Sequence, residues 1–86
     1  MDMRRLVGEN VRRIRQDRGL TQEQFADLSG FSQQYLSGLE RGRRNPTVVT
    51  LFELATALKA RPVELLAPVE GMASGQSAST PKKRRR

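Results

Sequence analysis

Neither cysteine nor histidine occurs anywhere in the 86 residues. Without thiols the chain forms no disulfide and no thiolate metal site, and without imidazole it lacks the commonest metal ligand and general base. Serines and carboxylates remain. Yet Ser29, Ser32 and Ser37 have no candidate base beside them, and capping or surface roles account for them better than nucleophilic catalysis. The composition therefore argues against an enzyme and gives no catalytic residue, cofactor site or metal site. No apolar run approaches the ~20 residues that span a bilayer, and the N-terminus lacks the apolar core of a signal peptide. The expectation is a cytoplasmic protein with no membrane partner. Period-two alternation is also missing, so no strand is expected and the fold class is all-α. A chain of this length makes one domain at most, with a small core whose stability depends on tight helix packing or dimerisation.

What the chain does contain is a succession of short helix signals. Leu6, Val7, Val11 and Ile14 recur at helical spacing and predict a helix over about 3–18, closed by Gly19, with Leu20 entering the core. Thr21 and Gln24 have the spacing of a capping box, so a second helix starts at Gln22 and runs to Ser29. Its apolar stripe is Phe25, Ala26 and Leu28, and Gly30 ends it at positive φ. Ser32 caps a third helix over about 33–41, where Leu36 and Leu39 share one face. The opposite face carries Gln33, Gln34, Ser37 and Gly38, which are polar or small and uncharged. Thr47 caps a fourth helix with Leu51, Leu54, Ala55 and Leu58 as its buried stripe, and Pro62 fits the first turn of a fifth containing Val63, Leu65 and Leu66. The result is a compact five-helix domain over 1–67.

Of 16 basic and 9 acidic residues, 11 and 8 fall within 1–67, which leaves +3 there and +4 beyond. The net charge of +7 therefore says less about the domain than the placement of its arginines does. Arg41, Arg43 and Arg44 follow the third helix directly, where their side chains can straddle a groove and meet phosphates. From 68 to 86 the composition turns small and polar, and a flexible, disordered basic tail is expected. Its closing Lys82-Lys83-Arg84-Arg85-Arg86 attracts any polyanion and adds nonspecific DNA affinity by counterion release. The same block also fits a nuclear-localisation signal or a solvated tail without a dedicated role.

Two short helices around a glycine turn, followed by arginines, are the pattern of a helix-turn-helix DNA reader. The segment resembles the Cro and phage-repressor-like helix-turn-helix family, also called the lambda-repressor-like or xenobiotic-response-element (XRE) group. The matching residues are Gln22, Ala26, Gly30, Leu36 and the closing Leu39-Glu40-Arg41-Gly42, continued through Arg43-Arg44-Asn45-Pro46-Thr47 into a leucine-rich helix. The likeness stops near Ala67. It implies a lambda-repressor-like fold whose third helix is the recognition helix. In similar repressors the positions of Gln33 and Gln34 point into the major groove, and a glutamine amide suits a bidentate contact to adenine, worth ~1–3 kcal/mol of discrimination. Ser37 is the further base-reading candidate. Gly38 departs from family members that place a long polar side chain there. Gln22 matches a position that contacts a phosphate and braces the first recognition glutamine. Tyr35, Arg41, Arg43 and Arg44 complete the phosphate-binding set. Glu40, an acid beside the DNA face, needs a partner, and similar proteins pair it with an arginine at the position of Arg15; the two are expected to form a structural ion pair.

The function so implied is that of a sequence-specific regulator of transcription, a homodimer on a pseudo-palindromic double-stranded DNA operator. It acts in the bacterial cytoplasm and is nucleoid-associated when DNA-bound. A restriction-modification controller, a phage-type repressor and an autoregulatory element all suit the size. The apolar residues of the fifth helix, with Val69 and Met72, fit either a dimer seam or the monomer core. The alternative of another class is an antitoxin-like interaction module with a protein partner and secondary DNA binding; a third is a nonspecific binder driven by the tail, which deletion of 81–86 would abolish.

Overall fold

The computed structural model describes residues 2–68, and the expectations for the basic tail, for Val69 and for Met72 lie outside them. Within that span the chain forms five helices: α1 (Met3–Asp17), α2 (Gln22–Ser29), α3 (Gln33–Glu40), α4 (Val48–Leu58) and α5 (Pro62–Leu66). The local chemistry of their ends sets these limits. The Thr21 hydroxyl accepts from the Gln24 N–H at 3.0 Å while the Gln24 side-chain oxygen accepts from the Thr21 N–H at 2.9 Å, which completes the capping box of α2. Gly30 terminates α2 at φ 83°, in the left-handed region. Ser32 and Thr47 cap α3 and α4 by the same side-chain contact to the N–H three residues on, and the Asp2 carboxylate caps α1 by accepting from the Arg4 N–H two residues on. At α5 the Glu64 carboxylate accepts from the Arg61 N–H at 2.8 Å, with Pro62 in the first turn.

Helix α1 lies against α3 and α5, α2 against α3 and α4, and α4 against α5. The core enclosed by this arrangement contains Val11, Phe25, Leu36, Leu39, Leu54, Leu58 and Leu65, all without solvent contact. Burying each such side chain contributes about 1.5–3 kcal/mol. Two close approaches make the packing possible. Gly8 has no Cβ, and the Leu39 and Glu40 carbonyls at the end of α3 occupy the space one would need. Asn10, also fully buried, donates from its amide to the carbonyls of Leu65 at 3.0 Å and Ala67 at 2.7 Å, which ties the end of α5 to α1.

Some faces differ from the sequence expectation. Leu28 is 61% exposed, so the α2 stripe narrows to buried Phe25 and half-buried Ala26. In α5 only Leu65 enters the core, while Val63 and Leu66 face outward. Helices α1 and α3 each end one residue early, with Arg18 and Arg41 as C-caps.

Candidate nucleic-acid interface

The turn between α2 and α3 is set by Gly30, by the Ser29 hydroxyl accepting from the Phe31 N–H at 3.2 Å, and by the Ser32 cap. Helix α3 buries Leu36, Leu39 and Glu40. The helical repeat puts Gln34, Gly38 and Arg41 along the opposite, outward line, with Gln33 and Ser37 on one flank and Tyr35 on the other. Gln33, Gln34 and Arg41 are exposed, and Ser37 and Gly38 partly so. The base-reading candidates Gln33, Gln34 and Ser37, themselves uncharged, thus share one outward surface.

Arg44 folds back along that surface. Its guanidinium lies 5.4 Å from the centre of the Tyr35 ring, and the ring in turn stacks on Phe31 with centroids 5.2 Å apart. A Cβ at position 38 would meet the Arg44 Nε at 3.1 Å. The surface left bare by Gly38 is therefore covered by an arginine from the following loop. Burial pushes the Tyr35 phenol above its ordinary value, and the nearby Arg44 charge opposes the shift. Tyr35 accordingly stays neutral near pH 7 and presents a hydroxyl, not a phenolate, to its surroundings.

Glu40 is held as a partnered acid. Arg15 grips it with two hydrogen bonds, Nε to Oε2 at 2.7 Å and Nη2 to Oε1 at 3.1 Å, and also donates from Nη1 to the Leu20 carbonyl at 2.7 Å. Both side chains are nearly buried. Such a fork pairs the charges and orients α1 on α3. The Gln22 amide nitrogen donates to Glu40 Oε1 at 3.0 Å, which brings α2 into the same network. The Gln22 amide is thus turned toward Glu40, and among the described residues no Gln22–Gln33 hydrogen bond forms. Arg41 and Arg43 are exposed beyond the helix end. Sequence reasoning missed Gly8 and Asn10. A glycine inside a helix and an asparagine in register with Val7 and Ile14 were the available signals.

A short helix, a left-handed glycine turn and a second helix with an open polar face, all braced by α1, define a helix-turn-helix protein. The helix-turn-helix family HTH_3 matches residues 11–65, and the chain belongs to it. It is a family of DNA-binding transcriptional regulators. The chain is 64% identical over 70 residues to the uncharacterized HTH-type transcriptional regulator y4dJ of Sinorhizobium fredii, a match covering 81% of this chain and 91% of the relative. The crystal structure of the restriction-modification controller protein C.AhdI from Aeromonas hydrophila is similar at 44% identity and a TM-score of 0.69, covering 72% of this chain and 94% of that one. The controller C.Esp1396I, solved as a tetramer in complex with its natural 35-base-pair operator, is similar at 31% identity and a TM-score of 0.69, covering 76% and 86% of the two chains. Among the described residues, no helix is long and apolar enough to cross a membrane.

Proposed function

We propose that this helix-turn-helix regulator binds double-stranded DNA sequence-specifically as a homodimer, with α3 in the major groove of each half-site. The observation that carries the reading is the outward face of α3. Gln33, Gln34 and Ser37 offer donors and acceptors without charge, Arg41, Arg43 and Arg44 stand beside them, and the one nearby acid is neutralised by Arg15. Gln33 and Gln34 read base edges, Ser37 adds a further contact, and Gln22, Tyr35 and the arginines hold the backbone. One α3 spans only a few base pairs, so specificity comes from two half-sites about 34–36 Å apart or a multiple of that. The operator-bound tetramer of C.Esp1396I supports a multimeric assembly on DNA, and the likeness to C.AhdI favours a controller role. For the dimer seam, outward-facing Val63 and Leu66 of α5 are available, with Met3 of α1 lining the same small cleft as Leu66. Residues 1–67 form the DNA-binding unit, 68–86 a basic extension, and the protein works in the bacterial cytoplasm without catalytic chemistry of its own.

The test is selection of bound sequences from a random duplex pool at near-physiological salt, with wild-type protein and a Gln33→Ala, Gln34→Ala double variant. An enriched inverted repeat that the double variant loses is the expected result. Binding without enrichment would overturn the reading. A protein-interaction role has one supporting feature, an open groove of about 390 Å³ lined by Leu28, Phe52 and Ala57 together with Glu53 and Lys59. Co-purification of a stoichiometric partner in place of selective DNA binding would favour that role.

A further inference from the structure

Six arginines lie on α1 and its C-cap, and their surroundings divide them sharply. Arg4 faces Asp2 at 3.8 Å, Arg5 faces Glu9 at 3.7 Å, and Arg13 donates to the Asn10 side chain at 3.1 Å and faces Asp17 at 4.0 Å. Arg15 is bound to Glu40, and Arg18 donates to the Leu58 and Lys59 carbonyls at the end of α4 at 2.9 and 3.3 Å. Arg12 alone among them has no hydrogen-bonded or ion-paired partner among the described residues. It is also the α1 cation that, with the neutralised Arg15, lines a polar cleft of about 300 Å³, completed by Gln22, Ser37, Glu40 and Arg41.

Within that cleft the Glu40 carboxylate is already satisfied by Arg15 and Gln22, so it offers no counter-charge to the rest. Arg41 likewise has no side-chain partner among the described residues. Two uncompensated arginines, one on α1 and one at the C-cap of α3, therefore line one polar recess, an arrangement that favours an anion with several acceptor oxygens. Ser37, on the flank of the reading face, forms the edge of the recess. A phosphate bound there would belong to the strand bordering the groove that α3 occupies.

We propose that Arg12, together with Arg41, forms a phosphodiester clamp in this cleft, making α1 a DNA-contacting helix that fixes the depth and tilt of α3. The proposal rests on the DNA-binding reading above. Its test is the salt dependence of full-chain binding to a random-sequence duplex, followed for wild type, Arg12→Gln, Arg12→Lys and, as a control of equal charge change on another face, Lys59→Gln. Removing one phosphate contact lowers the magnitude of the slope of log K against log salt by about 0.9, equivalent to about 5-fold weaker binding near 0.15 M salt. Arg12→Gln is expected to show that loss at an unchanged melting temperature, Arg12→Lys to restore the slope, and Lys59→Gln to leave it as in wild type. Equal slopes for Arg12→Gln and Lys59→Gln would overturn the clamp. Because the duplex is random, the outcome is separate from the sequence selection on which the broader reading stands.

Discussion

At Gly8 one hydrogen atom decides whether two helices can touch. A methyl group there would meet the Leu39 carbonyl oxygen and lie 2.9 Å from that of Glu40, both backbone atoms that rotamer changes cannot move aside. Gly8→Ala gains about 1 kcal/mol of helix propensity. The forced separation of α1 from α3 costs more, and a net loss of about 2 kcal/mol is expected, within the range for overpacked interiors. An unchanged melting temperature would refute this. Tyr35 gives a second residue-scale prediction, accessible because it is the chain's only tyrosine. Burial raises its phenol and Arg44 opposes the rise, so the absorbance change of ionisation is expected above the ordinary value of about 10 and higher still in Arg44→Ala. A midpoint that drops in the variant would contradict the assignment. The sign carries over to stability: in that alkaline interval the native state keeps a proton that the unfolded chain releases, so stability falls as pH rises through it.

Between elements, the strongest polar tie is the Arg15–Glu40–Gln22 network joining α1, α3 and α2. Glu40→Ala leaves the Arg15 guanidinium nearly buried without its acid and is expected to cost about 3–5 kcal/mol. Glu23→Ala removes only an exposed charge in the first turn of α2, worth about 0.3–1 kcal/mol. Similar melting temperatures for the two variants would count against the network as a fold lock. The same scale explains what could be read in advance. Caps at Thr21, Ser32 and Thr47 are contacts three residues long, so sequence order alone reveals them. The Arg15–Glu40 pair was anticipated from the unfavourable position of an acid and from family resemblance. Leu28 was misplaced because an eight-residue helix completes barely two turns, too few for periodicity to choose a face when α3 and α4 both pack on it. The fold-back of Arg44 over Gly38 and the capture of Gln22 by Glu40 depend on how separate segments meet, and no local pattern encodes that meeting.

For the molecule as a whole, the outward Val63 and Leu66 leave an apolar edge, and it is this edge that the proposed homodimer buries. Leu66→Glu is expected to shift sedimentation toward the monomer and weaken binding to an inverted repeat far more than to a single half-site, while melting stays close to that of wild-type monomer. A variant that sediments as wild type would move the seam elsewhere. Asn10 bears on a different global property, the order in which the molecule opens. Five residues are too few for a helix to persist alone, and its last carbonyls ordinarily go to solvent. In this chain α1 supplies the donors for two of them, so the final helix is latched to the first and cannot peel away while that latch holds. Amide exchange in α5 is therefore expected to track that of α1, and Asn10→Ala to release it into a separate, faster-exchanging unit. Were α5 already exchanging quickly in wild type, the latch would not control opening. With the latch in place, the two ends of the described chain, distant in sequence, are expected to melt as one.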